Sequence, residues 1–214
     1  MESSAPVFEE NYTIYKEKLA QLPVGERIVA LGGSRDIPSG FPDDVDGILP
    51  FFGTPLGISA QGIVAENGEP PVYDTGIILF RHVIMCPEAP SDKTRWVSFK
   101  DLKDGGPLTV YFRDNVDQVL IRRFGTDVAG LQAAAEGLGG RPPELAVQYD
   151  MALQIQALPT IPVVLLFNGV DEEFPADCSI LFEERVEEFL DAECIAMLGY
   201  RLARLLVNAG KTLG

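Results

Sequence analysis

Two neighbouring stretches in the second half of the chain carry its clearest strand patterns. From Val147 to Ala157, apolar and polar residues alternate over most of the length, and a period of two predicts a strand with one buried face. The run Ile161–Phe167 has no polar face, which predicts a central strand covered on both sides. Because only Leu158–Thr160 separates the two runs, we expect them to pair antiparallel. Ser179–Phe182 is predicted as a further strand.

Helical spacing and terminal signals predict about five helices. Apolar residues recur every three or four positions in several segments, and capping residues, prolines and glycines mark their ends. The predicted helices are one over Pro6–Leu22, a buried one over Gly76–Cys86 capped by Asp74 or Thr75, one from Pro107 to Gly125, one from a Thr126 cap to Gly139, and a C-terminal one capped by Asp191.

The order of these elements predicts the fold class. Between the first two helices, Ile48–Glu66 is interrupted by glycines and a proline, a pattern typical of small, bent antiparallel strands. Strands and helices occur in separate groups rather than in strict alternation, which indicates an α+β fold. We therefore predict a single globular domain over residues 1–214, with a mainly antiparallel sheet and about five packed helices.

Composition and charge exclude several classes of protein. Apolar residues make up 46% and charged residues 23% of the 214 positions, the balance of an ordinary globular protein. A formal net charge of −15 repels nucleic acid and anionic membranes, so neither is expected as a partner. The start of the chain lacks a secretory pattern, and three widely spaced cysteines favour reduced thiols. We expect a cytoplasmic protein.

More than half of the net charge lies in one segment, Asp171–Glu193. It holds ten acidic residues and one basic residue, Arg185. Such a run is either a solvated face or a docking surface for a basic partner or a cation. The candidate binding residues of this segment are Asp171, Glu172, Glu173 and Asp177. Their spacing lacks the pattern of a calcium-binding EF-hand loop, so no metal site is predicted here.

The residue types leave little room for familiar catalytic sites. His82 is the only histidine, and no nucleophile-elbow motif accompanies it. The cysteines are too few for an iron–sulfur cluster and too far apart for a zinc site. No cofactor is predicted. A second hypothesis is therefore a ligand-binding or enzymatic pocket on the polar face of the first strand. Its candidate residues are Gln148, Asp150 and Gln154, with Arg81 and His82.

The segment NGVDEEFPADCSILFEE, followed by EFLDAECIAMLG, resembles the signature of an uncharacterised bacterial and archaeal family, a domain of unknown function found mainly in anaerobes. FFGTPLGIS, VSFKDL and RRFG extend the resemblance over most of the chain. Some relatives are joined to, or encoded near, iron–sulfur and corrinoid modules. The resemblance thus implies an accessory role in anaerobic one-carbon or corrinoid metabolism, in which any cluster belongs to a partner protein.

Two functional hypotheses follow from the sequence. In the first, the chain is a non-catalytic binding or accessory protein that docks a basic or cofactor-carrying partner through its acidic segment. In the second, it binds a small ligand, or acts as an enzyme, through the polar face of the strand Val147–Ala157. That same face or its edge would also suit a homodimer.

Overall fold

The computed structural model describes residues 6–212, with side chains from 12 to 210. The helices in this part of the chain are α1 (Pro6–Leu19), α2 (Val24–Ala30), α3 (Tyr73–Met85), α4 (Thr109–Phe112), the π turn Arg113–Asp117, α5 (Gln118–Phe124), α6 (Val128–Gly137) and α7 (Ala192–Thr212). Because α4, the π turn and α5 are continuous, they form one helical rod, and the described residues contain six such rods.

The strands form two antiparallel sheets. The strands are β1 (Gly47–Phe51), β2 (Thr54–Ser59), β3 (Gly62–Val64), β4 (Trp96–Ser98), β5 (Met151–Leu158), β6 (Ile161–Asn168) and β7 (Asp177–Glu183). A three-stranded sheet has the order β1-β2-β3, and a four-stranded sheet has the order β4-β7-β6-β5. The α+β prediction, with mainly antiparallel pairing, is confirmed.

The central strand of the larger sheet is β6, as its apolar sequence predicted. Every residue from Ile161 to Phe167 is buried, and β6 pairs antiparallel with both β5 and β7. The partner strand β5 begins at Met151, so the prediction of a strand from Val147 is wrong for its first four residues. The pairing of β6 with β5 ends before Asn168, whose side-chain oxygen accepts a hydrogen bond from the Asp150 backbone N–H at 3.0 Å.

Helix ends differ from the prediction where local geometry competes with periodicity. The first helix stops at Leu19 because the next residues tighten into a turn: the Leu22 N–H donates to the Leu19 carbonyl at 3.0 Å. The third helix starts at Tyr73, before either predicted cap. Asp127, and not Thr126, caps α6 by accepting the Gly130 N–H at 2.9 Å.

Two helices illustrate how side chains hold helix ends. The predicted cap of α7 is confirmed, since Asp191 Oδ1 accepts the Cys194 N–H at 2.9 Å. The apolar run Arg27–Leu31 belongs mainly to the short helix α2. Arg27 Nη1 donates to the carbonyls of Val83 and Ile84 at 2.9 and 2.7 Å, which satisfies the C-terminal end of α3 with a cation.

The core lies around α7, which packs against α3 and α6. Buried residues of the helices and both sheets form one connected hydrophobic cluster. Within it, Phe99 stacks on Phe112 with ring centroids 4.4 Å apart, and Phe112 meets Phe182 of β7 edge to face. No helix among the described residues is long and apolar enough to cross a membrane.

Close packing at Gly199 of α7 gives a prediction about stability. A Cβ atom at this position would lie 2.5 Å from a ring carbon of Phe112, so we expect Gly199→Ala to lower the free energy of unfolding by about 2 kcal/mol through overpacking. The matched control is Gly137→Ala in α6, where a Cβ would meet nothing within 4 Å. Urea denaturation should show the control to be neutral or stabilised; equal losses in the two variants would contradict the prediction.

Candidate functional site

The acidic segment Asp171–Glu193 divides into two parts with different surroundings. Its second part carries half-buried carboxylates that already have partners. The pairs are Glu183 with Arg185, Glu184 with Arg95, Glu187 with the Lys103 N–H, Glu188 with Ser91, and Asp191 with Arg81. These carboxylates are therefore already engaged with groups of the same chain, and the charge that remains free to meet a partner lies mainly in the first part.

The first part lies in the acidic loop, residues Val170–Phe174, between β6 and β7. Asp171 Oδ1 accepts the backbone N–H groups of Glu173 and Phe174 at 2.8 and 2.7 Å, and these bonds lower the pKa of its carboxyl. Glu172 and Glu173 are exposed. Phe174 is 65% exposed, the largest fraction among the large hydrophobic residues that the structure describes. The loop thus presents an aromatic ring beside free carboxylates.

A groove of about 1000 Å³ crosses the face of the four-stranded sheet. Gln154 and Gln156 of the edge strand β5 line it, and Arg141 lies on the segment after α6. The Arg141 backbone exchanges two hydrogen bonds with Gln154, which fixes this segment against the strand. The other lining residues include Arg95, Trp96, Glu144 and Glu183. Gln154 is thus the predicted pocket residue that lies in a concave, polar surface.

The other pocket candidates lie outside this groove. Gln148 and Asp150 are exposed residues that precede β5, and Asp150 Oδ2 accepts the Gly169 N–H at 2.8 Å. Arg81 Nη2 lies 2.5 Å from Asp191 Oδ2, so it joins α3 to the cap of α7. The structure therefore does not bring the five predicted residues together.

His82 is fully buried in α3. Its Nε2 atom lies 3.2 Å from the Thr160 hydroxyl, and its ring lies beside that of Phe189. Burial lowers the pKa of His82 to about 3, so the ring is neutral at neutral pH. This environment is that of a structural histidine.

A further site lies at the π turn between α4 and α5. Apolar residues along this rod recur at strict four-residue intervals: Phe112, Val116, Leu120 and Phe124 are all buried. Each four-residue step in an α-helix overshoots a full turn by about 40°. The wider π turn absorbs part of that drift and keeps the four side chains on one face. Such turns are frequent at functional sites.

Asp117 ends the π turn and borders a cavity of about 370 Å³. The cavity is walled by the Phe99 and Phe112 rings and by polar side chains from β4, α4 and β7, among them Ser98, Thr109 and Ser179. Asp117 Oδ1 is shielded from solvent and has no hydrogen-bond partner among the described residues. A carboxyl oxygen in this state is costly to leave unpaired.

The surroundings of Asp117 favour its protonated form. Burial, together with the negative charge of Asp177, raises the pKa of Asp117 to about 7. The same two carboxyls, added to burial, raise the pKa of the Cys178 thiol. Asp177, predicted as part of the acidic docking surface, thus lies within electrostatic reach of this second site. A titratable carboxyl beside a cavity is a recognised mark of functional sites.

Sequence reasoning missed Asp117, although a signal was present. Asp117 lies three residues before Leu120 on the flank of an apolar face, where a solvated carboxylate is not expected.

Among the described residues, no group of three or more histidine, cysteine, aspartate or glutamate side chains could hold a metal ion.

Fold and sites together define an acidic α+β protein with a hydrogen-bonded acidic loop and polar cavities. The family model described as a domain of unknown function (DUF3786) matches residues 39–205, so the chain belongs to this family. Comparison with curated proteins and comparison with solved structures each give no significant match.

Proposed function

We propose that this chain is a non-catalytic binding protein that docks a basic protein partner through the acidic loop. The exposure of Phe174 carries this proposal, since a large aromatic ring that is 65% exposed beside free carboxylates is an unusual surface feature. Aromatic anchors contribute much of the energy of protein interfaces, and carboxylates at the rim steer a basic surface toward them.

The conformation of the acidic loop supports this role. Because Asp171 Oδ1 accepts two backbone N–H groups, and the Asp171 N–H donates to the Phe174 carbonyl at 3.1 Å, the loop is ordered before it meets a partner. Preorganisation lowers the entropic cost of association. The aromatic ring can therefore enter an apolar pocket of the partner without refolding the loop.

The partner that fits best is a cofactor-carrying protein with a basic rim around an apolar pocket. The resemblance of the DEEFP segment to a family of anaerobes, with relatives beside iron–sulfur and corrinoid modules, supports this choice. In this proposal the protein acts in the cytoplasm, and the cofactor remains with the partner.

Substitutions in the acidic loop test the docking proposal once native mass spectrometry of gently purified material has identified a co-purifying basic protein. We expect the double variant Glu172→Lys, Glu173→Lys to weaken its binding about ten-fold at low salt, with a smaller effect at high salt. We expect Phe174→Ala to weaken binding by a similar factor at any salt concentration. Isothermal titration with the reconstituted partner measures both.

The matched control reverses another exposed pair, Asp43→Lys and Asp44→Lys. This change alters the net charge equally but leaves the acidic loop intact, so it should have little effect. If the partner binds the loop variants as tightly as the wild-type protein, or if both charge reversals weaken it equally, docking through the loop is wrong.

A second candidate function is favoured by the groove on the sheet face. Among the described residues, the Arg141 guanidinium has no acidic partner, and the Gln154 amide lies in the same groove. A cation and a free amide suit a small ligand with a carboxylate group. The same native spectrum separates the alternatives: a stoichiometric adduct of ligand size favours the groove, a basic partner protein favours the loop, and a bare dimer favours self-association.

A further inference from the structure

The groove on the four-stranded sheet extends across the whole width of the sheet's outer face. A row of paired, buried residues crosses all four strands on the inner face, Val97–Phe182–Val163–Ile155. Because successive side chains of a strand alternate between faces, the neighbours Trp96, Gln154 and Gln156 lie on the outer face, and all three line the groove. Its volume of about 1000 Å³ lies at the upper end of the range for ligand pockets, so the groove has room for more than one small acid.

The charges of the groove lining balance one another. Two of the charged lining residues, Arg95 and Glu183, already form ion pairs with other residues of the chain. The other two, Arg141 and Glu144, carry opposite signs. Over its full length the lining therefore selects neither a cation nor an anion. A carboxylate would meet Arg141 at one corner, and the rest of the groove suits an uncharged polar ligand.

Amide groups give the groove hydrogen-bonding capacity in both directions. The Gln154 side chain has no hydrogen-bond partner among the described residues, so its NH2 group and its oxygen are both available. Gln156 Nε2 donates to the carbonyls of Leu158 and Pro159 at 2.6 and 3.2 Å, which holds the side chain in place and leaves its oxygen as an acceptor. Adjacent donors and acceptors match hydroxyl groups, because a hydroxyl both donates and accepts.

Trp96 is the aromatic residue of the lining. It is half-buried, and unlike its neighbour Val97 it does not belong to the hydrophobic cluster. A sugar ring combines an apolar face of C–H groups with a rim of hydroxyls. The electron-rich face of an indole attracts such C–H groups, while the amides can bond to the rim. A purely apolar ligand would instead leave the amides unpaired.

We propose that this groove binds a short, uncharged oligosaccharide, with one sugar ring against Trp96 and the hydroxyls of the adjoining rings on Gln154 and Gln156. The proposal rests on the second candidate function, since both require a ligand in this groove, and it assigns the groove beyond Arg141 to a sugar chain. A small acid would occupy only the corner at Arg141, whereas an oligosaccharide extends across the sheet from β4 to β5.

Trp96 is the only tryptophan of the chain, so the tryptophan fluorescence of the full-length protein reports directly on this groove. We expect cellotetraose or maltotetraose, two neutral tetrasaccharides of different shape, to shift the emission with saturation at millimolar concentration. Glucose should bind about ten-fold more weakly, because one ring cannot contact both edges of the sheet. Gln154→Ala should weaken binding of the tetrasaccharide about ten-fold. The matched control is Gln132→Ala, exposed in α6, which should keep the affinity.

Three results would overturn the proposal: a lack of saturation by both tetrasaccharides, an equal affinity for glucose, and an unchanged affinity in folded Gln154→Ala. Titration with succinate separates this proposal from the second candidate function. If succinate binds, if Arg141→Gln removes that binding, and if neither tetrasaccharide binds, the second candidate function stands and the sugar assignment is wrong. If succinate and both tetrasaccharides all fail to bind, both are wrong. The titrations of the wild-type chain remain decisive even if a variant folds poorly.

Discussion

Acidification to pH 4 is expected to cost the wild-type protein about 3 kcal/mol more stability than it costs a His82→Gln variant. The folded-state pKa of His82 is about 3, well below the ordinary value of 6.5, because the ring is buried. Below pH 6.5 His82 is therefore protonated in the unfolded chain but stays neutral in the folded chain until the pH approaches 3. The stabilising contribution of the neutral ring is complete above pH 6.5 and is lost as the pH falls toward 3.

Urea denaturation between pH 4 and pH 7.5, followed by circular dichroism, measures this difference. His82→Gln removes the titration but keeps an amide that can bond to the Thr160 hydroxyl, the partner that lies 3.2 Å from His82 Nε2. The carboxylates titrate alike in both proteins, so their effects on stability cancel in the comparison. Thr160→Ala is the matched control because it removes the partner without removing the titrating group, and its curve should stay parallel to that of the wild type. Parallel curves for His82→Gln would contradict the expectation.

Elements with a strong local signal were predicted well. The run Ile161–Phe167 became the buried central strand, and the Asp191 cap lies where the sequence placed it. These features depend on neighbours within a few residues. The start of β5 was missed because the contact beside it is distant in sequence: the side chain of Asn168, 18 residues away, accepts a hydrogen bond from the Asp150 backbone N–H.

The division of the acidic segment could not be predicted from charge alone. The sequence shows ten carboxylates in one run but not which of them have partners. Arg81 pairs with Asp191, and Ser91 with Glu188, across about half of the chain. The local sequence pattern cannot reveal such pairing, because a hydrogen-bonded carboxylate and a solvated carboxylate have the same residue type. The acidic loop retained its predicted exposure because Pro175 and the turn at Asp171 are local features.

The site at Asp117 depends both on the local sequence and on contacts with distant parts of the chain. The four-residue spacing from Phe112 to Phe124 is local, and a helix that keeps such residues on one face must unwind. What encloses the carboxyl is not local: Asp177 lies on β7, and Phe99 follows β4. Sequence reasoning can therefore locate an irregular helix, but the raised pKa of Asp117 depends on the tertiary arrangement of separate elements.

Replacement of Asp117 by Asn is expected to stabilise the protein by about 2 to 4 kcal/mol above pH 7 and to change little below pH 4. The folded state raises the pKa of this carboxyl from 3.8 to about 7, so the folded chain binds the proton more tightly. Between these pH values the stability of the wild type falls as the pH rises, because the unfolded chain ionises first.

The full cost is present above pH 7, where the folded chain holds an ionised carboxylate with one oxygen unpaired. The neutral amide of Asn carries no such charge, and partial exposure of the site accounts for the lower bound. Urea denaturation of both proteins at pH 4 and pH 8 measures the change. Asp114→Asn, in the same π turn but exposed, should alter stability by no more than about 0.5 kcal/mol at either pH. An equal difference between Asp117→Asn and the wild type at both pH values would mean that folding does not raise the pKa of Asp117.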